Sequence, residues 1–350
     1  MNTQSKAMTT IDTHFSKIGD LYPCYIIAEI GSNHNGGYDL ACELIEKAAD
    51  AGVNAVKFQT FKAATHYSRQ TNKISLYKED IYSLIEKLEI DRSWHRKLAT
   101  LCENLKIDFL DSPCDLEAIQ LAVDVNMPLM KVASFDMIDP ILINAIAKTG
   151  KGLVFSSGMS TMGEIETAIN IAHREGNDKI AVLQCTSIYP APAKIANLNA
   201  MSTIKKAFDV IVGYSDHTIG DHIVCAAVAK GAKIIEKHYT LDRKMTGPDH
   251  LFAIMPNELK TMVDKIREIE LAVGDGIKNG PREEEMEFYQ NARRSIIARQ
   301  NIKKGQKIRL EDIIIKRPSY GIHPSEMSIV VGREAKVDII ADEPITWEKI

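Results

Sequence analysis

From residue 25 to residue 271 the chain alternates short apolar runs with amphipathic stretches of helical period. Tyr25-Ile-Ile-Ala-Glu-Ile30 is the first run, and Asp39 to Ala51 follows with Leu40, Leu44, Ile45 and Ala48 on one face before Gly52 ends the helix. The beat returns at Asn54–Phe58, Asp108–Ser112, Leu129–Ala133, Gly152–Ser156, Ile180–Gln184, Val210–Tyr214 and Ala232–Lys237, making eight or nine candidate strands. Further helices are predicted over Glu164–Ala172, Asp221–Lys230 and Pro256–Leu271. Short buried strands alternating with helices predict an α/β fold closed into a (β/α)8 TIM barrel rather than an open doubly wound sheet. No glycine-rich turn of the dinucleotide type opens a helix, which also argues against a Rossmann fold. The polar stretch Phe61 to Glu89 is long for a strand-to-helix connection and predicts a lid over the active face.

After Leu271 the pattern stops. Gly274 to Pro281 is rich in turn residues and Arg282 to Gln290 is a charged, helical linker, so a barrel over 1–278, a linker over 279–290 and a second domain over 291–350 are expected. That domain repeats itself: Ala298, Ile302, Ile308 and Ile313 align without gaps on Ala335, Ile339, Ile345 and Ile350. Two similar strand-and-turn units about a pseudo-twofold axis are predicted.

Composition narrows the function classes. With 350 residues, 45% of them apolar, the chain can bury a barrel of roughly 250 residues and an appendage. The formal charge of -4 is spread along the chain without a basic stripe, which excludes a nucleic-acid partner. Six cysteines lie scattered without a CxxC pair, no apolar leader precedes Asp20, and no apolar span of about 20 residues occurs, so a cytoplasmic protein with no membrane partner is expected.

In a barrel the residues ending each strand converge on one face. Those residues are Glu29 and Asn33, Lys57 and Gln59, Ser112, then Lys131, Ser134 and Asp136, and later Ser157, Thr186, Ser187, Tyr189, Ser215, His217, Glu236 and His238. A lysine inside an apolar strand is costly unless an anion meets it, so Lys57 and Lys131 predict a phosphate or carboxylate ligand, with serine hydroxyls as further donors; pairing with a barrel carboxylate is the plainer alternative. His217 and His238 end successive runs with no cysteine ligand in sequence beside them, which predicts a catalytic divalent ion whose shell substrate and water complete. Mn2+, Mg2+ or Co2+ suits such a site better than structural zinc. The other histidines, His66 among them, are assigned to surface or packing, except His34 in its glycine-rich turn.

The motifs carrying these residues are Ala28-Glu-Ile-Gly-Ser-Asn-His-Asn-Gly36, Val56-Lys-Phe-Gln-Thr60, Lys131-Val-Ala-Ser134, Cys185-Thr-Ser-Ile-Tyr-Pro190, Gly213-Tyr-Ser-Asp-His-Thr218, Ile235-Glu-Lys-His238 and Gly247-Pro-Asp249. In these the chain resembles the sialic acid synthase family, and Lys316-Arg-Pro-Ser-Tyr-Gly321 with its repeat resembles the antifreeze-like (SAF) domain appended to that barrel. The resemblance covers nearly the whole chain. It implies condensation of phosphoenolpyruvate with an N-acylhexosamine, either N-acetylmannosamine or a 2,4-diacetamido-trideoxyhexose. It further implies that Lys57, Ser112, Lys131, Ser134, Ser187 and Ser215 hold phosphoenolpyruvate, and that His217 and His238 hold the metal. Glu29 and Asp136 are implied to handle protons, and Gln59, Tyr189, Asp249 and Arg317 to contact the sugar. Arg317 comes from the SAF domain of a partner, so a domain-exchanged homodimer is implied. The chain departs from the N-acetylneuraminate synthase pattern at Asp136, where that pattern has glutamate, and at Ser187, where it has asparagine. Gly247-Pro-Asp249 is the neuraminate and legionaminate form rather than the pseudaminate form. Rival readings are a Schiff-base aldolase using Lys131, a synthase for an aldose phosphate, and a non-catalytic sugar- or ice-binding protein.

Overall fold

The computed structural model describes residues 9–70 and 80–350. Within it the chain divides into two compact units, Met1–Gly274 and Asp275–Ile350. The first unit opens with a short antiparallel hairpin, β1 (Ile11–Asp12) and β2 (Lys17–Ile18). Eight parallel strands follow: β3 (Tyr25–Gly31), β4 (Ala55–Thr60), β5 (Asp108–Pro113), β6 (Leu129–Val132), β7 (Gly152–Ser156), β8 (Ile180–Cys185), β9 (Ile211–Asp216) and β10 (Ile234–His238). Their order is β5-β4-β3-β10-β9-β8-β7-β6, so the first and last strands of the series pair and the sheet curls into the predicted TIM barrel. β5 and β6 lie side by side at the closing seam. Nearly every strand residue is buried, as expected where helices cover the outside and side chains fill the inside.

Helices follow the predicted beat, for example Tyr38–Asp50, Met162–Arg174, His222–Ala229 and Pro256–Val273. Their starts are chemically marked: Thr161 and Glu164 form a reciprocal capping box, and Asp139 caps the helix that begins at Pro140. One glycine is forced by packing. A Cβ on Gly213 would stand 2.3 Å from the Ile234 carbonyl oxygen and 2.6 Å from Leu183 Cδ2, so β9 can nest between β8 and β10 only without a side chain there.

The hairpin β1–β2 was invisible in the polar opening of the sequence, yet Ile11 and Ile18 are fully buried. Tyr25 Oη donates to buried Asp108 at 2.7 Å, and the His14 backbone N–H donates to the same carboxylate at 3.1 Å. These bonds tie the hairpin to the N-terminal ends of the strands, the end away from their polar termini.

Of the predicted lid, residues 71–79 lie outside the described residues. Its described flanks form the helices Ala63–His66 and Ile81–Leu88, the latter capped by Asp80.

In the second unit β11 (Ser295–Ala298) pairs antiparallel with β12 (Ile313–Lys316). All eight repeat positions are buried. Ile302 and Ile339, which the repeat aligns, exchange both backbone hydrogen bonds at 2.8 and 2.9 Å. The Gly305 N–H donates to the Ala335 carbonyl, and at the same offset the Asp342 N–H donates to the Ala298 carbonyl. Gly305 and Asp342 both adopt positive φ, 82° and 72°. The pseudo-twofold axis therefore passes between Ile302 and Ile339. Among the described residues no helix is long and apolar enough to cross a membrane, and all six cysteines are free.

Candidate active site

A cavity of about 330 Å³ opens among the C-terminal ends of the barrel strands. The period of two along a strand decides what enters it. Lys57 and Gln59 of β4, Glu236 and His238 of β10, and Ser215 of β9 with His217 just beyond it face inward and line the cavity. Between those positions, the buried Lys237 and Asp216 pair with each other at 2.5 Å. Strand register then brings the inward groups together: Glu29 lies beside Lys57 on one side and His238 on the other, and Ser215 beside Glu236.

At the floor, Lys57 Nζ lies 2.7 Å from Glu29 Oε2 and donates to Ser112 Oγ at 2.9 Å. Glu236 sits between the lysines, 3.8 Å from Lys57 and 3.7 Å from Lys131, and accepts from Ser215 Oγ at 2.9 Å. Gln59 donates to the other oxygen of Glu29 at 2.6 Å. These four charged groups are almost completely buried, so each depends on the others for compensation. Burial lifts the Glu29 carboxyl to about 7 despite the Lys57 contact. Burial would lower Lys57, but Glu236 and Glu29 more than offset it and hold the ammonium form. For Lys131 burial wins, and its pKa falls below the usual lysine value. Burial opposes ionisation of Glu236 too, but Lys131 and Lys57 hold it below the ordinary carboxylate range. The plain alternative for the lysines is thus realised, yet in one cluster that spans both.

Above the floor the His217 and His238 rings stand 5.2 Å apart between centroids, with Tyr189 4.2 Å from His217 and Phe252 5.1 Å from His238. His217 Nδ1 is 2.8 Å from the Thr186 carbonyl oxygen, which fixes a protonated Nδ1 and leaves Nε2 as a lone-pair donor. The buried Nδ1 of His238 has no hydrogen-bond partner among the described residues and lies 3.6 Å from Asp249 Oδ2. Two imidazoles bound to one ion at about 2.1 Å would have centroids about 5 Å apart. The pair therefore fits a divalent ion. Burial raises Asp249 to about 6.

Glu29, Lys57, Gln59, Ser112, Lys131, Ser134, Asp136, Tyr189, Ser215, His217, His238 and Asp249 all line this one cavity. Ser187 faces an adjoining hollow with Met159 and Ile188, and its buried Oγ is without a partner among the described residues. Only Gly158 separates it from Ser134: a Cβ there would fall 2.2 Å from Ser187 Oγ and 2.7 Å from Ser134 Oγ, and the Gly158 N–H donates to Ser134 Oγ at 3.0 Å. Arg317 belongs to the second unit.

Sequence reasoning missed several groups. Ser156, whose buried Oγ has no partner among the described residues, lines the cavity, whereas Ser157 donates to the Leu183 carbonyl at 3.0 Å. With two adjacent serines at a strand end, only the alternation counted from Gly152 could have chosen between them. His66 is not a surface or packing residue: it lines the cavity 3.7 Å from Asp136. Cys114 and Cys185 also line it. His34, expected near the site, is buried against Phe58 and Trp94, and burial lowers its pKa to about 4. Ile81, Leu84, Ile85 and Leu88 show that the described part of the predicted lid does line the cavity.

Comparison with known proteins places this geometry. The NeuB family profile matches residues 44–278 and the SAF domain profile residues 293–350. N,N'-diacetyllegionaminic acid synthase of Campylobacter jejuni is 40% identical over 328 residues, 91% of this chain and 98% of that protein. The synthase of the same name from Legionella pneumophila is 37% identical over 342 residues, 95% of this chain and 96% of that one. Among solved structures, N-acetylneuraminic acid (sialic acid) synthetase of Leptospira borgpetersenii, in complex with citrate, matches with a TM-score of 0.74 and 33% identity over 81% of this chain and 96% of that one. Profile, relatives and fold agree over almost the full length: the chain belongs to the NeuB family and carries a SAF domain over residues 293–350.

Proposed function

We propose that the chain is a nonulosonic acid synthase that condenses phosphoenolpyruvate with an N-acylhexosamine, giving a nine-carbon 2-keto sugar acid and phosphate. The acceptor we assign is 2,4-diacetamido-2,4,6-trideoxymannose, in preference to N-acetylmannosamine. One observation carries the reaction: Lys57 and Lys131 share a buried floor with Glu29 and Glu236 beneath two adjacent histidines. Family membership supports the reaction class, and the two legionaminic acid synthases support the acceptor.

The ammonium groups of Lys57 and Lys131 stand on either side of Glu236, and their remaining N–H donors are the ones that the phosphate and carboxylate of phosphoenolpyruvate would meet. Ser112, Ser134 and Ser215 add hydroxyl donors, and Ser187 completes them across Gly158. His217 and His238 would hold the divalent ion, Mn2+ first and Mg2+ or Co2+ after it, and a bound ion supplies Lewis-acid polarisation of the sugar aldehyde. C3 of phosphoenolpyruvate attacks the aldehyde carbon, and positive charge develops at C2. Glu29, held in place by Gln59, takes a proton from the water that adds at C2. The C2–O bond to the bridging oxygen then breaks, phosphate departs with that oxygen and with the proton of the new C2 hydroxyl, and C2 becomes the keto carbon. Asp136, whose pKa burial raises, carries the proton for the new hydroxyl on the sugar. Gln59, Tyr189 and Asp249 orient the chain of the acceptor.

The test is phosphate release from phosphoenolpyruvate with Mn2+ and three acceptors: the trideoxymannose, its altrose analogue and N-acetylmannosamine. We expect kcat/KM for the first to exceed the others by at least about tenfold, and EDTA to abolish turnover. Silence with all three sinks the reaction; preference for the altrose analogue makes the chain a pseudaminic acid synthase instead.

The same reading makes the working unit a domain-exchanged homodimer, with Arg317 of one subunit reaching the partner's barrel and contacting the sugar. Phe135, Ile138, Ile219 and Leu251, in loops after the strand ends, are 58%, 69%, 61% and 72% exposed, an apolar rim of the kind a partner covers. Co-expressed Arg317→Ala and Lys57→Met chains should then regain about a quarter of wild-type activity, because half of the pairs are mixed and each mixed pair rebuilds one intact site. No recovery above either homodimer means that Arg317 does not act across subunits.

A further inference from the structure

We propose that His66, Cys114 and Asp136 form a second cation site in the cavity wall, for a thiophilic divalent ion such as Zn2+. The three residues come from successive barrel connections. His66 ends the helix after β4, Cys114 directly follows β5, and Asp136 lies in the turn after β6. Their ligand atoms all lie within 4.8 Å of one another, with His66 Nε2 3.7 Å from Asp136 Oδ1 and Cys114 Sγ 3.9 Å from Asp136 Oδ2. A tetrahedral zinc ion bound at about 2.1 Å to nitrogen and oxygen and about 2.3 Å to sulfur has ligand–ligand edges of about 3.4–3.6 Å. Small side-chain shifts therefore close the site.

The donor set also fixes the class of ion. Imidazole, thiolate and carboxylate together suit zinc or cobalt, whereas magnesium and manganese favour oxygen. Three protein ligands leave a fourth position open to water. Little competes for the sulfur: among the described residues the hydrogen-bonding contacts of the Cys114 thiol are long, 3.6 Å to the Ser112 carbonyl and 3.9 Å to Asp136. As the ion binds, the S–H bond breaks, the proton passes to solvent and the sulfur electron pair forms the metal bond. Binding does not depend on the reaction proposed above. Its effect on turnover does: an ion on Asp136 withdraws that carboxylate from the acceptor, so zinc inhibits.

The experiment titrates the metal-free full-length chain with Co2+, a spectroscopic probe for zinc sites. We expect a thiolate-to-cobalt charge-transfer band in the near ultraviolet that Cys114→Ser removes and Cys185→Ser leaves intact. The second variant matters because Cys185 Sγ lies 3.9 Å from His217 Nδ1, the other place where sulfur could meet a metal. His66→Ala should move the midpoint of the titration by at least about tenfold. No band in the wild type, or a band that follows Cys185 rather than Cys114, overturns the site. If circular dichroism shows that Cys114→Ser does not fold, His66→Ala decides alone, and an unmoved midpoint overturns it. With saturating Mn2+, zinc should inhibit phosphate release, and the half-inhibiting concentration should rise at least about tenfold in His66→Ala relative to its own zinc-free rate. A cobalt band without zinc inhibition keeps the site and overturns the role given to Asp136, so the two readings fail separately.

Discussion

Lys57→Met is expected to lower kcat/KM by at least about a thousandfold and to destabilise the fold by about 3–5 kcal/mol. Both effects have one cause. Lys57 is the only cation within 4 Å of Glu29 among the described residues, and one of two beside Glu236. Removing it strands the buried Glu29, leaves Glu236 with Lys131 alone and halves the positive charge offered to a bound anion. pH separates the stability effect from the catalytic one. Glu29 ordinarily titrates at 4.5 and is raised to about 7 in the fold, so its contribution to stability is complete below about 4.5 and is lost as pH climbs through 7. Without Lys57 the loss deepens on the alkaline side. Thermal melts should therefore show a smaller deficit at acid than at alkaline pH, whereas kcat/KM stays low throughout. A Lys57→Met enzyme that turns over normally would remove the anion site from the floor.

His217→Ala and His238→Ala are each expected to cost at least about a hundredfold in Mn2+ affinity and about a thousandfold in kcat at fixed metal. The two should differ in rescue. His217 is oriented by a hydrogen bond to the Thr186 carbonyl, while His238 packs between Phe252, Tyr189 and His217 and has only the longer 3.6 Å approach of its Nδ1 to Asp249. His217→Ala thus removes the pre-oriented donor, and excess Mn2+ should restore less activity to it than to His238→Ala. Direct metal titration, alongside turnover, checks this. Undiminished Mn2+ binding in both variants would place the catalytic ion elsewhere.

How much of this could be read in the sequence varies with the physics involved. Parallel strands buried on both faces appear as unbroken apolar runs, so all eight barrel strands are legible to within a residue or two; β9, read as Val210–Tyr214, runs from Ile211 to Asp216. Strand-end chemistry is legible for the same reason, since a polar residue ending such a run has one face to occupy. Glu236 shows the limit. Its position at a strand end is plain, but its part as the shared counter-ion of Lys57 and Lys131 depends on which strands lie across the barrel, and local pattern does not carry that. His66 lies in a polar connection with no periodicity, so only the fold could bring it to Asp136. The hairpin β1–β2 escaped because two buried isoleucines, Ile11 and Ile18, sit among polar neighbours.

The pairing of β3 with β10 has a consequence for biosynthesis. Glu29 and His238 are register partners although the whole length of the barrel separates them along the chain. During translation the N-terminal strand must wait with one hydrogen-bonding edge unmatched until the eighth strand of the barrel has left the ribosome. Until then the cell holds a nascent chain with a sticky edge and no chemistry, and closing the ring and assembling the site become the same late event.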